Sequence, residues 1–167
     1  MKYFLITFML MTGLSSMAQS GEATTVKKTF SRTTTVSVQI KADASIVWTL
    51  LTNANDFSRW NSTVISIDGE IQEGEKIKLK STLDPSRTFK LKVREMTANR
   101  KMIWGDAMGK RTYLLEASAG GLTFTMTEKI GSFLFPLFAG KIPSFDESFE
   151  QFAADLKKEA EIIANSK

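Results

Sequence analysis

A long amphipathic segment near the C-terminal end limits how this chain can fold. From Phe145 onward, apolar residues recur at helical spacing for about 20 residues, and the opposite face is charged. Most of the preceding sequence alternates between apolar and polar residues, which is typical of β-strands with one buried face. A single long helix of this kind has to bury its apolar stripe against a sheet. The pattern therefore predicts an α+β domain.

The order of the elements can be followed along the chain. Strict alternation over residues 30–40 predicts a long first strand, and Asp43 is placed to cap a short helix that follows it. A second short helical or turn segment includes Trp60. Six further alternating segments, separated by turn residues, precede the long helix. The sequence thus predicts about seven antiparallel strands, two short helices after the first strand, and one long terminal helix.

Two stretches carry motifs that are typical of a known superfamily. Residues 36–79 contain V-W-x-x-L-T in the first helix, then a turn with a tryptophan, then a G-x-x-x-x-G hairpin, and the terminal helix contains L-K-x-x-A-E. The residues concerned are Val47, Trp48, Leu51, Thr52, Trp60, Gly69, Gly74, Leu156, Lys157, Ala160 and Glu161. With these motifs, residues 33–163 resemble the START-like superfamily, also called SRPBCC, and especially its polyketide cyclase and lipid-transport branch.

This resemblance implies a helix-grip fold, in which a curved seven-stranded antiparallel sheet wraps around the C-terminal helix and leaves an apolar cavity between them. The irregular segment GSFLFPLFAGKIP, residues 131–143, joins the last strand to that helix. In such a fold it passes over the mouth of the cavity. We therefore expect it to be a lid whose apolar side chains face inward. These side chains are Phe133, Leu134, Phe135, Leu137 and Phe138.

The first 18 residues have the pattern of a bacterial secretory signal peptide. A basic start at Lys2 precedes an apolar run, and Ser16-Met17-Ala18 is typical of a cleavage site. We expect cleavage after Ala18 and a periplasmic or secreted protein. The alternative interpretation is an uncleaved anchor or a buried first helix. Polar residues 19–28 are predicted to be a flexible lead-in, and residues 29–166 a single START-like domain.

The chain contains no cysteine and no histidine. Disulfides, thiol nucleophiles, histidine bases and metal sites built on nitrogen or sulfur ligands are therefore excluded. The sequence also shows no pair of catalytic carboxylates, so we expect no metal, no cofactor and no enzyme of these common kinds. If the cavity were catalytic, Glu128 and Tyr113 would be the candidate catalytic residues. Alternatively, Glu128 or Arg111 anchors the polar end of a ligand.

Aromatic and methionine side chains on the inward faces are the candidate ligand-binding residues. An ordinary packed core would give the same pattern, so the family resemblance and the predicted lid carry the interpretation. The predicted set consists of Trp60, Phe89, Met102, Trp104, Tyr113, Phe124, Met126, Phe133, Phe135, Phe138, Phe149 and Phe152.

The net charge of +4 indicates which partners suit the surface. Lysines alternate with apolar residues in KIKLK, residues 76–80, and again in KLKVR, residues 90–94. They are expected to form a solvated outer face, or to attract anionic lipid head groups weakly. No nucleic-acid-binding motif accompanies the charge, so no nucleic acid is expected as a partner. We expect the protein to be a monomer.

These observations leave three hypotheses for the function. The first is an exported protein that binds or carries a small hydrophobic molecule, such as a lipid, beneath the 131–143 segment. The second is a cyclase- or aromatase-like enzyme that uses the same cavity. The third is a non-catalytic interaction protein with a packed core and a basic sheet face.

Overall fold

The alternating segments fold into one antiparallel sheet, and the long terminal helix lies against its inner face. The computed structural model describes residues 21–166. The eight strands are ordered β1-β2-β8-β7-β6-β5-β4-β3 across the sheet. The strands are β1 Thr24–Lys28, β2 Ser31–Ile40, β3 Val64–Asp68, β4 Lys76–Ser81, β5 Asp84–Thr97, β6 Lys101–Gly105, β7 Gly109–Ser118 and β8 Gly121–Gly131. The α+β class and the antiparallel sheet are confirmed.

The sheet has one strand more than predicted, because part of the presumed lead-in is ordered. Residues 24–28 form β1, an edge strand that pairs with residues 31–35 of β2. The Thr25 hydroxyl bonds to that of Thr34 at 2.7 Å and also donates to the Asp146 carboxylate of the terminal helix. The prediction of a flexible lead-in is therefore wrong for residues 24–28. The predicted signal peptide and its cleavage site lie outside the described residues.

Within the described residues, three α-helices accompany the sheet. They are α1 Ala44–Thr52, α2 Phe57–Trp60 and α3 Asp146–Asn165. Asp43 is the N-terminal cap residue of α1, as predicted, although its side chain makes no capping hydrogen bond. The buried residues of α3 follow the predicted stripe and include Phe149, Phe152 and Leu156. The predicted order of strand, two short helices, strands and long helix is confirmed.

The period-two pattern of β2, β7 and β8 explains how the core forms. Val36, Met126 and Tyr113 lie side by side on the three strands, and each is 1% exposed. Because alternate residues of a strand share a face, these side chains all point toward α3. The polar residues between them face outward. One apolar layer therefore lies between the sheet and the helix.

No helix within residues 21–166 combines the length and the apolar character that a membrane crossing requires.

Candidate functional site

Polar residues interrupt the apolar inner face of the sheet near residue 131, where β8 ends. Thr34, Glu128, Arg111 and Trp104 form one row across β2, β8, β7 and β6. The next row, which is deeper in the fold, is apolar apart from the Tyr113 hydroxyl. The side chains of the first row therefore lie at the boundary between the core and the end of the sheet.

Arg111 and Glu128 form an ion pair at this boundary. The Nε–H of Arg111 donates to the Glu128 carboxylate, and the two side chains are only 19% and 14% exposed. Burial is the largest single influence on the pKa of Arg111 and lowers it, but Glu128 and Tyr113 together outweigh burial and raise the pKa above its usual value. The guanidinium therefore stays charged, and Glu128 is engaged with it.

The two arginines at this end of the sheet are bridged by two aromatic rings. The Arg32 guanidinium lies 4.6 Å from the centre of the Phe145 ring, and the Arg111 guanidinium lies 5.0 Å from that of Phe149. The two rings stack on each other at 5.8 Å with nearly parallel planes. This arginine-phenylalanine-phenylalanine-arginine stack fixes the start of α3 over the inner face of the sheet.

Arg32 also holds the end of the 131–143 segment. Its guanidinium donates to the carbonyl oxygens of Ile142 at 3.2 Å and Pro143 at 2.7 Å. Arg32 is not among the residues predicted for the site, although it alternates with Thr34 and Val36 on one face of β2. A cation on the buried face of an alternating strand was the available signal, since such a group needs partners.

Tyr113 has a buried hydroxyl that lies beside the Arg111 guanidinium, and its O–H finds no acceptor within residues 21–166. The residue is 1% exposed, and its ring packs edge-on against Trp104 at 5.0 Å. Burial raises the pKa of Tyr113 well above its usual value, although the nearby Arg111 guanidinium partly opposes the increase. The phenol therefore remains protonated and is a donor that lacks an acceptor. Leaving such a group unsatisfied costs about 1–3 kcal/mol.

A second buried donor, the indole N–H of Trp60, also has no partner in the part of the chain that the structure describes. The rings of Trp60 and Tyr113 both pack against Phe152, at centroid distances of 5.8 and 5.9 Å. The two rings that carry unsatisfied donors therefore pack against the same phenylalanine of the core. In native proteins such groups are rare, and each calls for an explanation.

The raised pKa of Tyr113 predicts its behaviour in alkaline solution. If residues 1–18 are removed, Tyr113 is the only tyrosine left in the sequence, since the other is Tyr3. We expect no tyrosinate absorbance from the folded protein at about pH 11, above the usual tyrosine pKa of about 10, and its appearance on unfolding. The folded state should lose stability as the pH rises through about 10, because only the unfolded chain ionises there. Tyr113→Phe should reduce this loss of stability, because the variant has no phenol at this position to ionise. Ordinary tyrosinate titration in the folded protein would contradict the burial of this hydroxyl.

The predicted ligand-binding residues are mostly packed core. Nine of them have exposures of 7% or less: Phe135 in the 131–143 segment and eight residues in the core between the sheet and α3. These eight are Trp60, Met102, Trp104, Tyr113, Phe124, Met126, Phe149 and Phe152. The ring of Phe152 contacts four other rings, those of Phe57, Trp60, Tyr113 and Phe124. The open cavity expected between the sheet and the helix is therefore filled by aromatic side chains.

Phe89 and Phe138 lie apart from this cluster. Phe89 is half-buried on β5, opposite Leu79, and carries the Arg87 guanidinium over its ring at 4.6 Å. Phe138 is half-buried and packs edge-on against Phe135. Neither ring pairs with an aromatic ring of the Phe152 group, although Phe89 packs against the edge of the core.

The 131–143 segment differs from the predicted lid. It contains two short 3-10 turns, Phe135–Leu137 and Ala139–Lys141. Phe135 is 4% exposed, but Phe133, Leu134 and Leu137 are 85%, 57% and 78% exposed. The expectation that all five apolar side chains face inward is therefore wrong for these three. Irregular backbone has no period that would direct successive side chains to one side.

Two depressions of the surface lie away from the aromatic cluster. One, of about 480 Å³, is lined by residues around Phe30, Met108 and Lys129. The other, of about 530 Å³, lies between the start of α1 and the hairpin of β7 and β8. Neither is lined by a predicted ligand-binding residue.

Solved structures with the same fold are numerous but distant in sequence. Protein MLL2253 from Mesorhizobium loti has a TM-score of 0.60 and 18% identity, with 77% of this chain and 96% of that chain covered. The Aha1 dimer from Colwellia psychrerythraea has a TM-score of 0.59 and 18% identity, with coverages of 77% and 95%. Protein BH1534 from Bacillus halodurans has a TM-score of 0.56 and 13% identity, with coverages of 82% and 99%. At these identities the likeness shows the fold alone.

A family model provides the assignment that the solved structures do not. The model described as polyketide cyclase / dehydrase and lipid transport matches residues 31–161, which is most of the chain. A search of curated proteins gave no match. The matched range runs from the start of β2 into α3. It therefore includes the strands that carry the polar row and the helix that packs over them. The chain therefore belongs to the polyketide cyclase / dehydrase and lipid transport family, within the SRPBCC superfamily of helix-grip proteins.

Proposed function

We propose that this protein binds a small hydrophobic molecule, such as a lipid, that carries one hydrogen-bond acceptor. The ligand would enter between α3 and the inner face of the sheet, at the end where residues 131–143 connect β8 to α3. The observation that carries this proposal is the Tyr113 hydroxyl, which is buried, protonated and without an acceptor. Membership of a family described as including lipid transport also supports it.

The chemistry of the boundary fits a ligand with a polar end. An oxygen of the ligand could accept from Tyr113 and from N–H groups of Arg111 beyond the Nε–H that Glu128 uses. Apolar burial would supply most of the affinity, and these donors would orient the molecule. A carboxylate, an ester or a ketone all meet this requirement.

Binding has to open a packed interior. Because aromatic side chains fill the space between α3 and the sheet, a ligand must displace some of them or move α3 and the 131–143 segment outward. Phe135 is the buried side chain of that segment, and it lies outside the main core cluster. It can therefore move without breaking the contacts around Phe152. The affinity measured for a ligand will be lower than its contacts suggest, since opening costs free energy.

The role of Tyr113 can be tested with ligands that differ at one end. Palmitate, hexadecanol and hexadecane share a chain but differ in their acceptor, and Trp60 and Trp104 provide a fluorescence signal from within the site. We expect Tyr113→Phe to weaken palmitate binding about fivefold to tenfold, which corresponds to one hydrogen bond of about 1 kcal/mol. Binding of hexadecane should not change.

Thr112→Val is the matched control, because it removes a hydroxyl from the neighbouring residue on the opposite face of β7. It should leave all three affinities unchanged. Equal effects of the two variants would show that Tyr113 does not contact the ligand. Failure of the protein to bind any of the three molecules, together with the absence of a hydrophobic adduct in native mass spectrometry, would contradict the proposal.

The geometry restricts the roles that Tyr113 and Glu128 could have in a cyclase-like enzyme. Tyr113 keeps its proton, so it could act as a general acid but not as a base at neutral pH. Glu128 would have to accept a proton while paired with Arg111. A Glu128→Gln variant that binds ligand normally but loses turnover would favour the enzyme over the carrier.

We also propose that the protein is exported. The support is the sequence of residues 1–18 alone. When the full chain is expressed in a bacterium, the intact mass of the protein in the periplasmic or external fraction should correspond to a chain that begins at Gln19. A mass that includes residues 1–18 would contradict cleavage after Ala18.

A further inference from the structure

We propose that the end of the molecule formed by Phe30, Phe133, Leu134 and Leu137, together with a row of lysines beside it, is a docking surface for an anionic lipid bilayer. This inference does not depend on ligand binding in the interior. We call the four apolar residues the apolar tip.

The apolar tip consists of side chains that project into solvent. Phe133 and Leu137 are 85% and 78% exposed, and Leu134 is 57% exposed. The ring of Phe133 stacks on that of Phe30, itself 51% exposed, at 6.0 Å with nearly parallel planes. A backbone hydrogen bond from Ser132 to the Phe30 carbonyl holds the two loops together. Soluble proteins rarely expose a contiguous cluster of this kind without using it.

The strand register places a row of lysines on the outer face of the sheet. Lys129 of β8 pairs with Lys110 of β7, which pairs with Gly105 of β6. Gly105 pairs with Lys92 of β5, which in turn pairs with Lys76 of β4. All four lysines are exposed, and none forms a salt bridge with the described residues. Like charges opposite one another in a sheet are destabilising, so this row has a cost that an anionic partner would offset.

Carboxylates do not neutralise the row. The neighbouring row contains Thr127, Thr112 and Ile103 on β8, β7 and β6, and Glu95 on β5. The Glu95 carboxylate is already paired with Lys101 at 2.8 Å. Asp106 lines the same surface depression as Lys110 and Lys129. Its side chain accepts from the backbone N–H groups of Met108 and Gly109 within the turn between β6 and β7. The row therefore keeps a positive excess.

The tip and the row belong to one surface. The depression of about 480 Å³ is lined by Phe30 and Met108 from the apolar side and by Lys110 and Lys129 from the row. Arg94 lines it as well and donates to the Asp106 carbonyl at 2.6 Å. Exposed apolar groups next to cations are the combination that binds the interface of an anionic membrane, where the former enter the acyl boundary and the latter meet head groups.

Charge complementarity favours a bilayer over a second copy of the chain. A two-fold contact would bring two lysine rows face to face, which is repulsive. The tip also projects outward instead of forming a groove. The hydrocarbon region of a bilayer can accommodate protruding apolar side chains, whereas a protein partner would need a matching pocket.

The test uses the mature protein and vesicles of phosphatidylcholine with or without phosphatidylglycerol, in low and high salt. We expect co-sedimentation with the anionic vesicles that weakens as salt increases. Phe133→Ser combined with Leu137→Ser should lower the apparent partition coefficient about tenfold or more, because both apolar insertions are lost. Lys110→Glu combined with Lys129→Glu should lower it about 25-fold or more, at about fivefold for each cation lost.

The matched controls lie on the exposed face of α3, where Ile162 is 53% exposed. Ile162→Ser and Lys158→Glu should bind like the wild type. Binding that the tip variants do not reduce, or that the controls reduce equally, would overturn the proposal. So would absence of binding, or light scattering that shows a dimer lost in the same tip variants. Circular dichroism checks that each variant is folded.

The absence of cysteine allows a direct measurement of insertion. Leu137→Cys carrying an environment-sensitive fluorophore should shift to the blue on anionic vesicles and be quenched by nitroxide-labelled lipid. The same label at Ile162→Cys should not respond. A response at both positions, or at neither, would show that the tip does not enter the bilayer.

Discussion

Phe152→Ala is expected to lower the free energy of unfolding by about 3–5 kcal/mol. Phe152 is 2% exposed, and its ring contacts those of Phe57, Trp60, Tyr113 and Phe124. Truncation removes these contacts and leaves a space that the neighbouring strands cannot close. The loss is measured by denaturant unfolding at neutral pH.

Ile162→Ala is the control, since this residue lies on the exposed side of the same helix. It should change the free energy of unfolding by less than about 0.5 kcal/mol. If Phe152→Ala costs no more than this control, the interior is not the tightly packed layer described above. The space left by Phe152→Ala also borders the rings of Trp60 and Tyr113, which carry the two unsatisfied donors, so this variant is expected to take up palmitate more readily than the wild type.

The second large effect is expected at the boundary ion pair. Arg111→Met should lower the free energy of unfolding by about 3 kcal/mol, because it leaves the Glu128 carboxylate largely buried and without its partner. Adding Glu128→Leu should restore most of the loss, since replacing both partners removes the uncompensated charge. The two single variants and the double variant together form a double-mutant cycle.

The exposed pair of Lys101 and Glu95 provides the comparison. Its side chains are 37% and 44% exposed, and Glu95→Gln should cost less than about 1 kcal/mol. Equal costs at the two pairs would mean that water reaches Arg111 and Glu128 freely. In that case the pair could not form the polar end of an interior site.

Much of the fold could be predicted because its signals are local. The alternation in β2 and β8 and the helical stripe of α3 each fix which side of an element is buried. β1 was missed because Val26 is its only large apolar residue and it gives no alternating pattern. Its pairing depends on contacts to Thr34 and Asp146, and Asp146 is distant in sequence.

The site was predictable in composition but not in geometry. Sequence alternation placed Tyr113, Met126 and Glu128 on inward faces, yet it could not show that the interior is filled or that Glu128 pairs with Arg111. The orientation of the 131–143 side chains depends on irregular backbone. The lysine row was visible only in part, because its continuation from Lys92 to Lys110 and Lys129 requires the strand register. Whether the twelve predicted residues bind a ligand stays a prediction.

Methionine methyl NMR tests most directly whether the interior takes up a ligand. If residues 1–18 are removed, four methionines remain: Met96, Met102, Met108 and Met126. Met102 and Met126 flank Tyr113 in the register of the sheet and are buried, whereas Met108 lies at the surface depression. On titration with palmitate, we expect the methyl signals of Met102 and Met126 to shift and that of Met108 to stay in place. A titration in which Met108 alone responds, or in which no signal moves at saturating palmitate, would contradict a ligand site between the sheet and the terminal helix.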